Sequence, residues 1–133
     1  VGMGQMAHRP MAELSGGMRQ KVYIAMALAQ QAPVIVMDEP TTYLDIGQQF
    51  RFGEMARQLS REGKTLVLVL HDILFALKIS DRIAALQGGK ILCQGTPEEI
   101  LEAGVTQKLY GVAVKPVRTE TGVQYYYEEP LNL

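Results

Sequence analysis

Two short apolar runs, each followed by polar side chains, constrain the fold of this chain more than any other feature. The first covers residues 34–37 and leads into Asp38 and Glu39; the second covers residues 65–70 and leads into His71. Continuous apolar runs of this length are typical of strands covered on both faces of a parallel sheet. We therefore expect two parallel strands whose carboxyl ends place these three polar residues at the edge where ligands usually bind.

The segment between the two runs has the pattern of an amphipathic helix. Asp45 is a suitable N-cap, the helix should reach about Arg61, and Gly63 is its expected C-terminal stop. The apolar residues that recur at i, i+3, i+4 and i+7 are Phe52, Met55, Ala56 and Leu59. A strand, a helix and a strand at this spacing predict a βαβ unit with a right-handed crossover.

Local patterns predict the remaining elements. Upstream, residues 1–14 should form a loop with a short helix, and residues 18–30 a helix that is apolar nearly all round and therefore largely buried. Downstream, we expect, in order, a helix over residues 72–80, a hairpin with strands at 83–86 and 90–94, a helix from Thr96 to about Tyr110, and a surface hairpin with strands at 112–117 and 123–127.

Composition excludes several classes of protein. The 133 residues are 47% hydrophobic, which is enough apolar material for a core. The formal net charge of -1 argues against binding nucleic acid by bulk attraction, so an anionic partner must be held locally. No apolar stretch approaches the roughly 18 to 20 residues of a membrane span. The single cysteine, Cys93, cannot form an internal disulfide.

Two glycines in the first turn of the helix after Ser15 are unusual. Gly16 and Gly17 each cost up to about 1 kcal/mol relative to alanine. They leave backbone N-H groups open at the positive end of the helix dipole, where anions bind. Ser15 can cap the helix or turn its hydroxyl toward a phosphate. An ordinary serine-capped helix with a flexible entry explains the same residues, so both interpretations remain open.

The acids after the first run have the arrangement of a Walker B motif. In that arrangement the aspartate, here Asp38, holds Mg2+, and the glutamate, here Glu39, orients or deprotonates an attacking water. A pair of solvated acids in a turn is the alternative. His71 is a second catalytic candidate, although a single histidine after a strand is more often structural. The candidates gain weight because they occur at short spacing, each at a strand end.

Together these residues resemble the second half of the nucleotide-binding domain of an ABC transporter. Leu14-Ser15-Gly16-Gly17 is similar to the signature motif, residues 34–39 to Walker B, Leu44-Asp45 to the D-loop, and His71 to the switch histidine. The resemblance covers residues 14–111. More narrowly, residues 24–30 and 39–46 are similar to ATPase subunits of importers for iron-siderophores, haem and cobalamin.

The sequence departs from the family pattern in two places. Met18 stands where the signature usually has glutamine, and no Gly-x-x-x-x-Gly-Lys-Ser/Thr sequence occurs. The resemblance therefore implies a partial P-loop NTPase (RecA-like) α/β fold: a parallel sheet with flanking helices and C-terminal β-hairpins, lacking the Walker A strand. It implies that the chain is the C-terminal portion of the domain. Residues 1–32 would end a helical subdomain, and residues 33–133 would form the second half of the ATPase core with a C-terminal extension.

The resemblance also implies a role for each residue of the chain's own half-site. Asp38 would ligate Mg2+, Glu39 would act on the water, and His71 would contact the γ-phosphate of ATP. The cofactors would be ATP and Mg2+. Because the P-loop sequence is missing, this chain alone would neither bind ATP tightly nor hydrolyse it.

A second set of residues would serve the other half-site of a dimer. Two ABC domains enclose two ATP molecules head to tail, so Ser15, Gly16 and Gly17, with Met18 beside them, would grip the γ-phosphate of an ATP carried by the partner. Asp45 would couple the two sites across the dimer.

The resemblance finally implies the protein's surroundings. The partners would be an identical second ATPase subunit, transmembrane permease subunits and, indirectly, a substrate-binding protein, with no nucleic acid. The location would be cytoplasmic, on the inner face of the cell membrane, and the cargo an iron-siderophore or related chelate. Two alternatives remain open: a truncated, non-enzymatic product, and a soluble ABC-type ATPase that acts on ribosomes or DNA.

Overall fold

A computed structural model describes residues 1–129 and divides the chain into two compact units, residues 1–71 and the part that begins at Asp72. The first unit contains two short 3-10 helices, Gly4–Met6 and Met11–Glu13, then α1 (Gly16–Ala29), β1 (Val34–Asp38), α2 (Ile46–Arg61) and β2 (Thr65–Val69). The second contains α3 (Ile73–Ile79), β3 (Ile83–Gln87), β4 (Lys90–Gly95), α4 (Pro97–Glu102), α5 (Val105–Tyr110), β5 (Ala113–Thr119) and β6 (Gly122–Glu128). Within the described residues, no helix has both the length and the apolar character needed to cross a membrane.

β1 and β2 pair in parallel, which confirms the predicted arrangement of strand, helix and strand. Val34 lies opposite Thr65, and Asp38 lies opposite Val69. The Glu39 N-H donates to the Val69 carbonyl oxygen at 3.0 Å, so the hydrogen-bonded ladder continues one residue beyond β1. The parallel pairing therefore brings the polar residues that follow both strands to one edge of the sheet, as the sequence predicts.

This sheet is covered on one face, so the prediction that both faces are covered is wrong. Burial alternates along β1: Ile35 and Met37 are buried, whereas Val36 is 67% exposed. Val67, the partner of Val36 in β2, is 48% exposed. α1 packs on β1 and α2 on β2, and because only one face is buried, both helices cover that face. β1 and β2 are the two strands that the sequence predicts for this sheet. The predicted lack of a Walker A strand stays a prediction.

α1 is a helix as predicted, but it is less buried than its apolar sequence suggests. It begins at Gly16, directly after the N-cap Ser15. Ile24 is its buried residue, whereas Tyr23 and Met26 are both more than half exposed. Apolar residues on every side of a helix are buried only where another element covers them. In the first unit, the covered side of α1 is the side that carries Ile24.

α2 matches its prediction because the determinants are local. The Asp45 carboxylate accepts a hydrogen bond from the Gln48 N-H at 2.8 Å, and the Gln48 side-chain oxygen accepts one from the Asp45 N-H at 3.2 Å. This reciprocal pair is a capping box. Phe52 is buried on the predicted face. The helix ends at Arg61, and Gly63 follows in a conformation with φ of +90° that favours glycine.

Up to residue 129, the second unit consists of two antiparallel hairpins and three short helices around one core. β3 pairs with β4 through a turn in which Gly88 and Gly89 both have positive φ, and β5 pairs with β6. The buried core residues are Ile73, Leu77, Ala85, Ile100, Val105 and Val114. The final hairpin, predicted to lie on the surface, thus contributes Val114 to the core. The hairpins and the parallel sheet of the first unit together confirm the predicted α/β class.

One predicted helix is in fact two. α4 ends at Glu102 and α5 begins at Val105, whereas the sequence predicts a single helix from Thr96 to about Tyr110. Gly104 lies between them with φ of +63° and ψ of 29°, a left-handed conformation through which an α-helix cannot continue. The predicted helix runs through Gly104, whereas α4 ends before it, with Ala103 as its C-cap.

Removing the cap of α4 should destabilise the second unit by about 1 kcal/mol. The Thr96 hydroxyl accepts a hydrogen bond from the Glu99 N-H at 3.3 Å, and the Glu99 carboxylate accepts one from the Thr96 N-H at 2.8 Å. Thr96→Ala abolishes the first bond, and urea denaturation measures the loss in unfolding free energy. Thr96→Ser keeps the hydroxyl and should stay near wild type. Equal stability of the alanine and serine variants would contradict the capping role.

Candidate functional site

Glu39 and His71 form the centre of the candidate site at the sheet edge. Glu39 directly follows β1, and His71 lies two residues after β2. His71 Nε2 lies 2.5 Å from Glu39 Oε1. The side chains of His71 and Glu39 are 79% and 44% exposed, so the pair is open to solvent and to a ligand. The structure thus joins two predicted catalytic candidates that are 32 residues apart in sequence.

The backbone at Glu39 is in an unusual conformation. Its φ is +49°, a region that costs a non-glycine residue roughly 1 kcal/mol or more. Two backbone hydrogen bonds hold it: Glu39 N-H donates to the Val69 carbonyl oxygen at 3.0 Å, and Thr42 N-H donates to the Glu39 carbonyl oxygen at 3.3 Å. Pro40, fully buried, occupies the second position of this turn, where its fixed φ fits. The turn therefore fixes the backbone that carries the Glu39 carboxylate.

Asp38 ends β1 and is exposed at the same edge. Among residues 1–129, no group of three or more histidine, cysteine or acidic side chains could hold a metal ion by itself. Mg2+ is commonly bound through one or two carboxylates, with phosphate oxygens and waters as the other ligands. The Asp38 carboxylate therefore fits Mg2+ that is bound together with a nucleotide.

The start of α1 is the second part of the candidate site. Ser15 is exposed, and its hydroxyl oxygen accepts a hydrogen bond from the Met18 N-H at 3.2 Å. A β-carbon on Gly17 would lie 2.8 Å from the Tyr43 carbonyl oxygen, and one on Gly16 would lie 3.3 Å from the Tyr43 ring. The loop before α2 thus approaches the helix start closely. The close packing against Tyr43 explains why Gly16 and Gly17 are glycines. The sequence alone did not reveal this reason.

An open cavity of about 380 Å3 is lined by the start of α1, by the loop before α2 with the first turn of α2, and by residues of the N-terminal segment from Gly2 to Met6. Ser15, Gly17, Met18 and Asp45 all line it, so the structure brings together the signature-like residues and the D-loop-like aspartate. Lys21 also lines the cavity and adds a positive charge that no motif of the sequence indicates. It follows Gly17 by four residues on α1, which is the spacing of residues on one helix face.

The structure does not join the cavity to the sheet-edge residues. Among the hydrogen bonds and ion pairs of the described residues, none links Ser15 or Asp45 to Glu39 or His71. The two groups of candidate residues therefore share no hydrogen bond or ion pair, although Tyr43 in the cavity lining directly follows Thr42, which contacts Glu39.

The fold, with polar residues at the carboxyl edge of a parallel sheet, is of the α/β class in which ligands bind at that edge. The ABC transporter family model matches residues 1–42. The achromobactin transport ATP-binding protein CbrD of Dickeya dadantii is 40% identical over 113 residues, and the ferric enterobactin transport ATP-binding protein FepC of Escherichia coli is 43% identical over 113 residues. In both comparisons the alignment covers 84% of this chain and 42% of the relative. The hemin import ATP-binding protein HmuV of Streptomyces coelicolor is 39% identical over 82% of this chain and 39% of its own length.

Solved structures agree with the sequence relatives. The dimeric structure of MJ0796, a bacterial ABC transporter cassette, is 34% identical with a TM-score of 0.66, over 71% of this chain and 40% of that one. An inward-facing metal-chelate type ABC transporter matches with a TM-score of 0.80 over 96% of this chain and 53% of the transporter chain. Its sequence is 22% identical, so this comparison supports the fold alone. Over most of its length the chain is therefore similar to the ATP-binding proteins of ABC transporters. The chain spans less than half the length of the curated relatives named here.

Proposed function

We propose that this chain is the part of an ABC-type ATPase subunit that supplies the catalytic glutamate and the signature motif. The longer polypeptide that would contain it is called here the whole subunit. The observation that carries the proposal is the contact between His71 and Glu39 at the edge of a parallel sheet. The left-handed backbone of Glu39 supports it, because strain of this kind clusters at functional sites.

At this edge, Glu39 would act on the water that attacks the γ-phosphate of ATP. Phosphoryl transfer depends on a positioned water and on neutralised phosphate charge. The Glu39 carboxylate can hold the water and accept its proton. His71 fixes one carboxylate oxygen and is exposed enough to reach the γ-phosphate. Asp38 would hold Mg2+, which neutralises phosphate charge when it is bound.

At the cavity, Ser15, Gly16 and Gly17 would bind the γ-phosphate of an ATP held by a second copy of the subunit. The open N-H groups at the start of α1 and the Ser15 hydroxyl are suitable donors. Met18 lies beside them, and Asp45 lines the same cavity, where it would couple the two sites. In a head-to-tail homodimer, this group and the pair Glu39 and His71 would serve different ATP molecules.

The relatives support the finer assignment. Their names specify transport of achromobactin, ferric enterobactin and hemin. We assign the whole subunit to uptake of an iron-siderophore or related iron chelate, bound to permease subunits on the inner face of the membrane. A substrate-binding protein would contact the permease, and no nucleic acid would take part. Residues 1–32 would belong to the helical subdomain, and residues 33–133 to the ATPase core and its extension.

A mixing experiment on the whole subunit tests the shared site. Ser15→Arg blocks the signature, Glu39→Gln removes the base, and each variant alone should hydrolyse ATP at the background rate. A head-to-tail dimer can contain one copy of each variant. In it, Glu39 of the Ser15→Arg copy faces Ser15 of the Glu39→Gln copy, so one of the two ATP sites is intact. Mixing the two variants should therefore restore ATP hydrolysis.

The control mixture combines Glu39→Gln with a Ser15→Arg/Glu39→Gln double variant. No dimer in it has an intact site, so it should stay inactive. Full activity of Ser15→Arg alone would contradict the role of the signature. Native mass spectrometry shows whether the mixture of Ser15→Arg and Glu39→Gln contains dimers with one copy of each variant. If such dimers form but do not hydrolyse ATP, the head-to-tail arrangement is contradicted.

The 133-residue chain by itself should neither bind ATP tightly nor hydrolyse it, because its sequence has no P-loop to cradle the β- and γ-phosphates. A titration with a fluorescent ATP analogue and a phosphate-release assay measure the two properties. The matched control is the same chain with Glu39→Gln. Phosphate release above that control would contradict the prediction.

A further inference from the structure

The Glu39 carboxylate has a second side-chain partner besides His71. The Thr42 hydroxyl donates toward Glu39 Oε2 at 3.3 Å and toward the Glu39 carbonyl oxygen at 3.2 Å. His71 Nε2 contacts the other carboxylate oxygen, Oε1. Each oxygen of the carboxylate therefore has a side-chain partner of its own.

The turn after β1 brings Thr42 to this position. Thr42 is the fourth residue of the turn that begins at Glu39, and its N-H closes the turn on the Glu39 carbonyl oxygen at 3.3 Å. Leu44 follows and is buried, which fixes the far side of the turn in the first unit. Thr42 itself is exposed, so its hydroxyl is not a buried polar group that has to find a partner.

One contact is not enough to orient a carboxylate. The last torsion of a glutamate side chain is broad, so a carboxylate held through one oxygen can still pivot about that contact. A second contact on the other oxygen fixes the plane of the group. Each oxygen has more than one acceptor site, so both contacts leave room for a water molecule.

We infer that Thr42 is a positioning residue for Glu39. The inference rests on the proposed function, in which Glu39 acts on the attacking water. Thr42 fixes the orientation of the carboxylate at Oε2 while His71 holds Oε1, and both contacts of the Thr42 hydroxyl are to Glu39. Displacement of a reacting group by about 1 Å can lower a rate by up to about 100-fold. Loss of one of two restraints should therefore lower kcat and leave ATP binding unchanged.

The test compares Thr42→Val and Thr42→Ser in the whole subunit. Valine has the shape of threonine without the hydroxyl, and serine keeps the hydroxyl. Thr42→Val should lower kcat for ATP hydrolysis by roughly 10-fold, with KM for ATP and the thermal unfolding midpoint unchanged. Thr42→Ser should restore most of kcat. In a Glu39→Gln background, Thr42→Val should cause no further loss, because the group that it positions is already absent.

The outcomes separate this inference from the proposed function. If wild type hydrolyses ATP and Glu39→Gln does not, but Thr42→Val has the wild-type kcat, the inference on Thr42 is overturned and the proposed function stands. A serine variant as slow as the valine variant also overturns it, as does a rise in KM without a fall in kcat. A wild-type subunit that does not hydrolyse ATP overturns both.

Discussion

Glu39→Gln in the whole subunit should lower kcat for ATP hydrolysis by about 10²- to 10⁴-fold, the range typical of a lost general base. Glutamine has nearly the same size and can still contact His71 and Thr42, but its amide cannot accept a proton from water. ATP binding should survive, since the nucleotide loses no binding group. A dimer with bound ATP should therefore accumulate. Steady-state phosphate release gives kcat, and size-exclusion chromatography with ATP detects the dimer.

The matched control for this variant is Glu120→Gln, which makes the same change in the exposed turn between β5 and β6. It should hydrolyse ATP at the wild-type rate. If Glu39→Gln kept a kcat within a few-fold of wild type, Glu39 would be a structural turn residue and another group would act on the water.

Elements whose determinants are local could be predicted from the sequence. α2 follows from the Asp45 cap and from Gly63, and the β3–β4 hairpin follows from two glycines that both adopt positive φ. The strands β1 and β2 follow from continuous apolar runs. In each case the determining residues lie within the element or directly beside it.

Burial could not be predicted in the same way. An apolar sequence shows that a face can be covered, but the cover comes from another part of a chain. Val36 and Val67 on one face of the sheet, and Met26 on α1, remain exposed although their sequences are typical of buried elements. The helix break at Gly104 was missed for a different reason, because glycine inside a helical pattern is compatible with both a helix and its end.

The candidate site was partly predictable. Topology alone places Asp38, Glu39 and His71 at one edge, since the carboxyl ends of parallel strands meet there. The left-handed Glu39 and the contact with Thr42 could not be predicted, because both depend on how a short turn closes.

Gly17→Ala should lower the free energy of unfolding by about 1 to 2 kcal/mol, although alanine is the better helix former. The added β-carbon would lie 2.8 Å from the Tyr43 carbonyl oxygen, so the backbone before α2 must move. Overpacking of this kind costs about 1 to 3 kcal/mol, and the gain in helix propensity near a helix end is less than about 1 kcal/mol. Because Asp45 is two residues beyond Tyr43, the shift should also weaken ATP-dependent dimerisation of the whole subunit.

Gly16→Ala is the matched control for this prediction. Its β-carbon would meet the Tyr43 ring at 3.3 Å, and that ring is 66% exposed and can rotate away. The variant should therefore be as stable as wild type or slightly more stable, since only helix propensity changes. Urea denaturation of both variants measures the difference. Equal stability of Gly16→Ala and Gly17→Ala would show that the Tyr43 backbone yields freely, and the close approach of the loop would then not explain the second glycine.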